Sequence, residues 1–371
     1  MTRHADDFLR RYACGIRAGR ILPLTTIALA VAFCMTAATP TEGAFDPLSA
    51  EPPAAVGTAP QAPEPAAPLP PKWPRRDGEA GEDIPGIVKK GTPIYKWSEG
   101  HNFTEGPACA ADGTVYFVDI PANEIFKIDP AGARSLTRAS NGTFGLAIAK
   151  DGTLRGAQAN PGAITSIDPT TGAITVLCDA RAEPAEGTGT ALGRPNDLVV
   201  DDEGGIWFTA PVLGRRRENA PPDAVYFLPK GASAAIEVVR DAKLRGPNGI
   251  GLSPDGKTLY VVPYLSTTIM AYPIEGAGKL GAGREFYRIP AGTRETLGGD
   301  GMTVDDKGNL YVAVPPRAAI FVLSPEGKPL GQIRFPERTS NCRLGGKDGK
   351  TLFVTATSGV YAIDIENARS R

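Results

Sequence analysis

The clearest indication of the fold class is the stretch Gly193-Arg-Pro-Asn-Asp-Leu-Val-Val-Asp-Asp-Glu-Gly-Gly-Ile-Trp-Phe-Thr209. A polar entry leads into a short apolar strand, an acidic turn that ends in glycine, and a second strand. Apolar and aromatic runs separated by such a turn are typical of a β-hairpin. The stretch therefore predicts two antiparallel strands connected by a tight turn.

The same unit recurs six times along the chain. Its turns are Asp112-Gly113, Asp151-Gly152, Glu203-Gly204, Asp255-Gly256, Lys307-Gly308 and Asp348-Gly349. They are separated by 39, 52, 52, 52 and 41 residues. Repeats of about 40–50 residues that contain several short strands are typical of β-propeller blades. We therefore predict an all-β, six-bladed β-propeller over residues 87–371. Pro93-Ile-Tyr-Lys-Trp97 is expected to supply the outer strand of the last blade and so close the ring.

The N-terminal part of the chain has a different composition. Several arginines precede an apolar run over residues 21–38 that ends in small residues. This pattern predicts a secretory signal peptide over residues 1–38, and hence an exported, periplasmic or secreted protein. An uncleaved membrane anchor is the alternative, although Pro23 interrupts a run that is short for a spanning helix. Residues 39–86 are rich in Pro, Ala and Glu and predict a disordered linker.

The net charge and the small numbers of histidines and cysteines argue against several classes of function. The formal net charge is −1, so the basic surface of a nucleic-acid-binding protein is not expected. The chain has two histidines, His4 and His101, which argues against a typical zinc site and requires any Ser-His-Asp hydrolase to use His101. Cys109, Cys178 and Cys342 lack metal-type spacing; we expect buried thiols, with one disulfide as the alternative.

One position of each repeat stands out when the repeats are aligned. The residues seven places before the six turns are Glu105, Phe144, Asn196, Asn248, Asp300 and Asn341. Because the innermost strand of every propeller blade lines the central channel, these residues are expected to form a ring. Buried carboxylates need neutralising, and oxygen ligands favour Ca²⁺, Mg²⁺ or Mn²⁺. We therefore predict one divalent cation in the channel. Phe144 is expected to be a pocket wall, and Asn341 either a site contact or part of a turn with Cys342.

Metal-assisted hydrolysis with a carboxylate as acid and base is the chemistry that this ring favours. Asp300 is the better candidate proton carrier, because the following Gly-Met leaves it open to substrate. Glu105 precedes Gly106-Pro107 and is more typical of a fixed ligand. Arg194 lies two residues before Asn196 and can bind an anionic or polyhydroxylated substrate at the same mouth.

These stretches resemble the gluconolactonase and regucalcin-like (senescence marker protein) lactonase family. The matching segments are Thr104-Glu-Gly-Pro107, Tyr116-Phe-Val-Asp-Ile-Pro-Ala-Asn123, Arg194-Pro-Asn-Asp197, Pro247-Asn-Gly249, Leu252-Ser-Pro-Asp-Gly-Lys-Thr-Leu-Tyr260, Asp300-Gly-Met302 and Ser340-Asn-Cys342 with Gly345-Gly346. The resemblance implies a six-bladed propeller that hydrolyses sugar lactones. It also implies one channel cation, usually Ca²⁺, with Mg²⁺, Mn²⁺ or Zn²⁺ as substitutes.

Residue roles follow from the same resemblance. It implies that Glu105, Asn248 and Asp300 are metal ligands and that Asp300 is also the proton donor and acceptor. Arg194 and Asn196 would contact the substrate, and Asn196 would sometimes reach the metal.

The sequence departs from the family's pattern around the pocket rather than at the metal. Ala210 and Phe144 stand where many relatives have Asp and Asn, Gln158 lies in a less charged loop, and Glu218 is only a remote match for a substrate-contacting Glu. These departures affect the substrate assignment more than the chemistry.

Three functional hypotheses remain open at this point. The first is a metal-dependent hydrolase of sugar lactones, with a small-molecule substrate and no nucleic-acid partner. The second is a non-catalytic propeller that binds a ligand or a protein. The third is a hydrolase of another ester or a phosphoester. Long loops within residues 178–194, 211–223 and 282–298, with an Arg cluster at 215–217, are either substrate-selecting or solvated surface.

Overall fold

The computed structural model describes residues 74–366, apart from 130–131, 138, 183–190, 214–222, 242–243 and 291–297. The predicted signal segment, most of the predicted linker, the Arg cluster and Glu218 lie outside the described residues. Within the described part, no helix has the length and apolar character needed to cross a membrane.

Almost all regular structure in the described residues is β-strand. The strands are β1 (Arg75–Glu79), β2 (Pro93–Glu99), β3 (Thr104–Cys109), β4 (Val115–Asp119), β5 (Glu124–Asp129), β6 (Gly132–Thr137), β7 (Thr143–Ile148), β8 (Leu154–Ala159), β9 (Gly162–Ile167), β10 (Ile174–Cys178), β11 (Ala180–Arg181), β12 (Leu198–Val200), β13 (Ile206–Ala210), β14 (Ala224–Leu228), β15 (Ala234–Val239), β16 (Pro247–Leu252), β17 (Thr258–Pro263), β18 (Thr268–Gly276), β19 (Lys279–Leu280), β20 (Arg284–Arg288), β21 (Met302–Val304), β22 (Leu310–Val314), β23 (Ala319–Leu323), β24 (Pro329–Arg334), β25 (Thr339–Gly345), β26 (Thr351–Ala356) and β27 (Gly359–Asp364). One turn of 3₁₀ helix, Pro315–Arg317, joins β22 to β23.

The strands form six sheets of four or five strands, and each sheet is one blade. The innermost strands of the six blades are β3, β7, β12, β16, β21 and β25. Each of them contacts the innermost strands of the two neighbouring blades, and β25 contacts β3, so the ring is closed. The predicted all-β, six-bladed β-propeller is confirmed.

The six predicted hairpin turns lie between the first and second strands of the blades. Their glycines have φ values in the left-handed region: 90° at Gly113, 79° at Gly152, 87° at Gly204, 68° at Gly256, 83° at Gly308 and 67° at Gly349. Residues with a Cβ rarely adopt this backbone conformation, which explains why glycine follows the polar residue in each repeat.

Both ends of the described chain build the last blade. Strand β2 pairs antiparallel with β27, as in Ile94 opposite Ile363, so the predicted closing strand is confirmed. Strand β1 pairs with the outer side of β2, within the segment predicted to be disordered up to residue 86. Ile84 and Val88 are buried in the core that surrounds Ile333. In the structure the last blade thus also includes residues before position 87, because a few apolar anchors in a polar segment bury enough surface to order it.

Apolar side chains fill the spaces between neighbouring blades. Trp207 of the third blade packs on Phe227, with ring centroids 4.4 Å apart, in a cluster that includes Ile250 and Val261 of the fourth blade. The three cysteines of the propeller are free thiols, and Cys178 and Cys342 are buried. This packing leaves the polar residues of the aligned position at the channel.

Candidate functional site

The six aligned residues lie at or just before the start of the six innermost strands. Glu105, Asn248 and Asn341 are within β3, β16 and β25, while Asp300 lies two residues before β21. These four side chains are buried. Phe144 and Asn196 are half-buried.

Glu105, Asn248 and Asp300 come together from three different blades. Burial raises the pKa of Glu105 well above its ordinary value, and the nearby Asp300 carboxylate raises it further. Burial also raises the pKa of Asp300, while a hydrogen bond with the Asn248 side chain opposes that shift. The structure thus brings the three predicted metal ligands into one cluster.

Asp197 is a third carboxylate of this cluster, and the alignment of repeats missed it. Its side chain is 2% exposed, and its charge raises the pKa of both Glu105 and Asp300. Burial raises the pKa of Asp197 to about 6, and the Arg343 guanidinium opposes the shift. Its Oδ1 accepts a hydrogen bond of 2.9 Å from the Leu198 N–H, which fixes the carboxylate.

Asn341 connects two of the carboxylates. Its Nδ2 donates to Glu105 Oε2 over 3.1 Å and to Asp197 Oδ2 over 3.4 Å. Its Oδ1 accepts from the Cys342 N–H over 2.8 Å. Asn341 therefore contacts the site, as one of its two predicted roles required. Its oxygen, however, is turned to the backbone rather than to the carboxylates.

Glycine follows the aligned residue in four of the six blades, at positions 106, 145, 249 and 301. A Cβ at Gly106 would overlap the carbonyl oxygen of Phe144, and one at Gly249 would overlap that of Asp300. These glycines let the innermost strands approach one another. The remaining two blades have Asp197 and Cys342 at this position. The exception at position 197 is the sequence signal that could have identified the third carboxylate.

Two arginines and a tyrosine surround the carboxylates. The Arg338 guanidinium lowers the pKa of Asp300, and it hydrogen-bonds Tyr264. Burial, and then the charge of Asp300, raises the pKa of Tyr264 to about 12, so its hydroxyl stays protonated at neutral pH. The two guanidinium groups, of Arg338 and Arg343, do not balance the three carboxylates. The site therefore has an excess of negative charge when all of these groups are ionised.

The predicted substrate residues Arg194 and Asn196 come just before Asp197 in sequence. The Arg194 guanidinium carbon lies over the Phe144 ring, 5.7 Å from its centroid. The Asn196 N–H donates to the Thr209 carbonyl over 2.8 Å. The Thr209 hydroxyl in turn donates to the Asn248 carbonyl over 2.7 Å, which ties this segment to the fourth blade.

His101 belongs to a separate group between the last blade and the first, where its ring packs on Phe117 and Phe126. Its Nε2 lies 2.6 Å from Ser98 Oγ, and its Nδ1 lies 3.8 Å from Asp119 Oδ2. Burial lowers the pKa of His101 to about 4. Ser98 is 0% exposed and lies on β2, three strands out from β25, or about 14 Å at the usual strand spacing. A nucleophile without access to substrate does not support a Ser-His-Asp mechanism.

We call the cluster of Glu105, Asp197, Asn248 and Asp300 the hub. Its side chains fit a hard divalent cation. In the described part of the chain, no three His, Cys, Asp or Glu side chains form a metal cluster by themselves. The hub combines carboxylate oxygens with the Asn248 amide oxygen. Such an all-oxygen set of ligands favours Ca²⁺ over Zn²⁺. A cation there would also offset the negative charge that burial disfavours.

Comparisons with known proteins identify relatives of this chain. The gluconolactonase of Zymomonas mobilis is 33% identical over 190 residues, which cover 47% of this chain and 51% of that protein. Diisopropyl-fluorophosphatase of Loligo vulgaris is 32% identical over 173 residues, which cover 43% of this chain and 53% of that protein. The chain thus spans about half the length of the curated relatives it matches.

A solved structure and a family model match more of the chain. The gluconolactonase from Xanthomonas campestris superposes with a TM-score of 0.65 at 28% identity, covering 79% of this chain and 94% of that one. The model of the SMP-30/Gluconolactonase/LRE-like region matches residues 103–358. The chain therefore belongs to the SMP-30/gluconolactonase/LRE-like family.

Proposed function

We propose that this protein is a divalent-cation-dependent lactonase that opens sugar lactones of the gluconolactone type. The observation that carries the proposal is the convergence of Glu105, Asn248 and Asp300 from three blades at the hub. Two of the relatives described above are gluconolactonases, which supports the substrate class.

Glu105, Asn248 and Asp300 would hold the cation, with Ca²⁺ as the preferred ion. A bound cation would polarise the carbonyl oxygen of the lactone and stabilise the negative charge that develops on it. Glu105 is fixed for a ligand role, because its Oε2 accepts hydrogen bonds from the Gly106 N–H over 2.7 Å and from Asn341.

Asp300 is proposed as the acid and base. Its carboxylate accepts a proton from a water molecule as the water oxygen attacks the carbonyl carbon. The same proton then passes to the ring oxygen as its bond to the carbonyl carbon breaks. One water is consumed, and the product is the open-chain hydroxy acid. Arg194 and Asn196 are proposed to orient the substrate from beside the hub.

Hydrolysis of a phosphorus ester is the second candidate. The observation in its favour is the similarity to diisopropyl-fluorophosphatase, which is nearly as strong in identity as the similarity to gluconolactonase. The same cluster of oxygen ligands suits a phosphoryl oxygen as well as a carbonyl oxygen.

A substrate panel with the purified full-length protein tests the two candidates. Glucono-1,5-lactone, an aryl ester and a phosphofluoridate are each assayed before and after treatment with a chelator, and again after Ca²⁺ is restored. The lactonase proposal expects fastest turnover of the lactone, loss with the chelator and recovery with Ca²⁺. Turnover of none of the substrates by protein that binds Ca²⁺ would instead indicate a binding module.

Export is proposed separately, from the arginines and the apolar run of residues 1–38. N-terminal sequencing of the protein recovered from the producing cells tests it. Cleavage near Ala38 in an extracytoplasmic fraction is expected; an intact N-terminus in the cytoplasmic fraction would contradict it.

A further inference from the structure

A cavity of about 370 Å³ opens beside the hub, between the first and second blades. Three asparagines, Asn123, Asn141 and Asn160, line it together with Phe144 and Arg194. The asparagines and Arg194 come from the β4–β5 and β8–β9 connections and from the loops that precede β7 and β12, while Phe144 lies within β7. Apart from Phe144 and Arg194, these residues have no part in the chemistry described above.

Phe144 connects this cavity to the hub. It occupies the aligned position of the second blade, where the other five blades have a carboxylate or an amide. Its backbone packs against Gly106, the residue after Glu105, and the next residue, Gly145, packs against the backbone of Asn196. A substrate whose lactone ring lies at the hub carboxylates would therefore have Phe144 and the cavity next to it, on the side of the second blade.

Hydrogen bonds hold the walls of the cavity in place. Asn123 Oδ1 accepts from Ser140 Oγ over 2.9 Å and from the Gly142 N–H over 2.8 Å, which joins the first blade to the second. Gln158 Nε2 donates to the carbonyls of Asn160 and Pro161, each over 3.2 Å. These contacts are made by the protein itself, so they fix the positions of the residues that line the cavity.

The lining is suited to a sugar ring. Side-chain amides both donate and accept hydrogen bonds, as hydroxyl groups do, and the Phe144 ring offers an apolar face for the C–H side of a pyranose. Ligand pockets commonly range from about 300 to 1,000 Å³, so this cavity suits one ring-sized group rather than a polymer.

We propose that this cavity is a second sugar subsite, and that the preferred substrates are aldonolactones that carry a second sugar residue. The proposal rests on the lactonase function proposed above and specifies its substrate class. The second sugar lies on Phe144 with its hydroxyls bonded to the asparagines, while the lactone ring reaches the hub.

Kinetics with a matched pair of substrates test the proposal. Glucono-1,5-lactone is compared with the same lactone carrying glucose on O4, using the full-length protein with Ca²⁺. We expect a higher kcat/KM for the glycosylated lactone, with the gain mainly in KM. Asn141→Gly removes one amide at a position whose φ of 54° suits glycine. It should lower the ratio of the two kcat/KM values about 2- to 10-fold, the value of one lost hydrogen bond.

Asp306→Gly is the matched control, because Asp306 is an exposed residue of the turn after β21. It should leave the ratio unchanged. Equal kcat/KM for the two lactones, or an Asn141→Gly ratio equal to that of wild type, would overturn the subsite while leaving the lactonase proposal intact. A preference only for a lactone with a carboxylate substituent would also overturn it. Absence of any lactone hydrolysis would overturn the proposed function itself.

Discussion

Asn341 donates a hydrogen bond of 3.1 Å to Glu105 across 236 residues of sequence, and the same nitrogen lies 3.4 Å from Asp197. The amide is fixed because its oxygen accepts from the Cys342 N–H. Asn341 thus orients a proposed metal ligand without offering its own oxygen. It acts as a positioning residue for Glu105.

Replacing Asn341 with alanine should weaken cation binding. The change removes the donor that holds the Glu105 carboxylate, and losing a group that orients a metal ligand typically costs about 10- to 100-fold in affinity. Calcium titration calorimetry measures the effect, with Asn102→Ala, at an exposed asparagine, as the control. Wild-type affinity in Asn341→Ala would show that Glu105 needs no such support.

Asp300→Asn should abolish most lactone turnover while the propeller stays folded. The amide cannot accept the proton, and general acid-base groups typically contribute about 10²- to 10⁴-fold to the rate. Because Asp300 is also a proposed ligand, kcat is measured at saturating Ca²⁺, with Asp306→Asn as the control. Substantial residual kcat under these conditions would remove Asp300 from the acid-base role.

Gly301→Ala should destabilise the hub. The added Cβ would overlap the Asn341 side chain, which is 2% exposed and held by hydrogen bonds. Overpacking of this kind typically costs about 1–3 kcal/mol. Urea unfolding measures the loss. Gly276→Ala is the control, since a Cβ at Gly276 would meet nothing within 4 Å. Equal losses in the two variants would contradict the proposed crowding.

Glu337 holds the last blade closed, and Glu337→Gln should lower the free energy of unfolding. Its carboxylate accepts from Lys96 Nζ over 2.6 Å, from the Ser358 N–H over 2.7 Å and from the Tyr361 hydroxyl over 2.7 Å. Hydrogen bonds to a charged group contribute about 1.5–3 kcal/mol. Glu326→Gln, at an exposed carboxylate, should have little effect.

The effect of Glu337→Gln should also depend on pH. Burial acts to raise the pKa of Glu337, but the bond from Lys96 and the other donors outweigh it and leave the pKa below its ordinary value. The unfolded chain therefore binds the proton more readily, so this stabilisation is present above the unfolded pKa of about 4.5 and disappears as pH falls through the folded value. Urea unfolding at several pH values should show the two proteins converging in acid. A constant difference would contradict the assignment.

The sequence predicted the architecture because the evidence for a propeller is local and repeated. In each repeat a polar residue followed by a left-handed glycine marks the turn between the first two strands, and six such turns define six blades. Strand β1 (Arg75–Glu79) was not predicted, for the opposite reason. Ile84, which follows it, is a short apolar signal in a polar segment, and its core partner Ile333 is far away in sequence.

The repeat pattern predicts which position of each blade faces the site, but nothing finer than that. Counting back from each turn selects one residue per blade, and three of those residues, Glu105, Asn248 and Asp300, lie together in the structure. Asp197 lies one residue later and reaches the same cluster from a position that is glycine in four other blades. The orientation of the Asn341 amide depends on the Cys342 N–H, and no residue pattern shows which end of an amide faces the channel.

Diffraction from crystals grown with Ca²⁺, at a wavelength where calcium scatters anomalously, tests whether the hub binds the cation. We expect one anomalous peak at the hub, about 2.3–2.6 Å from side-chain oxygens of Glu105, Asn248 and Asp300. A hub without a peak, or a peak bound by other residues, would contradict the proposed cation site.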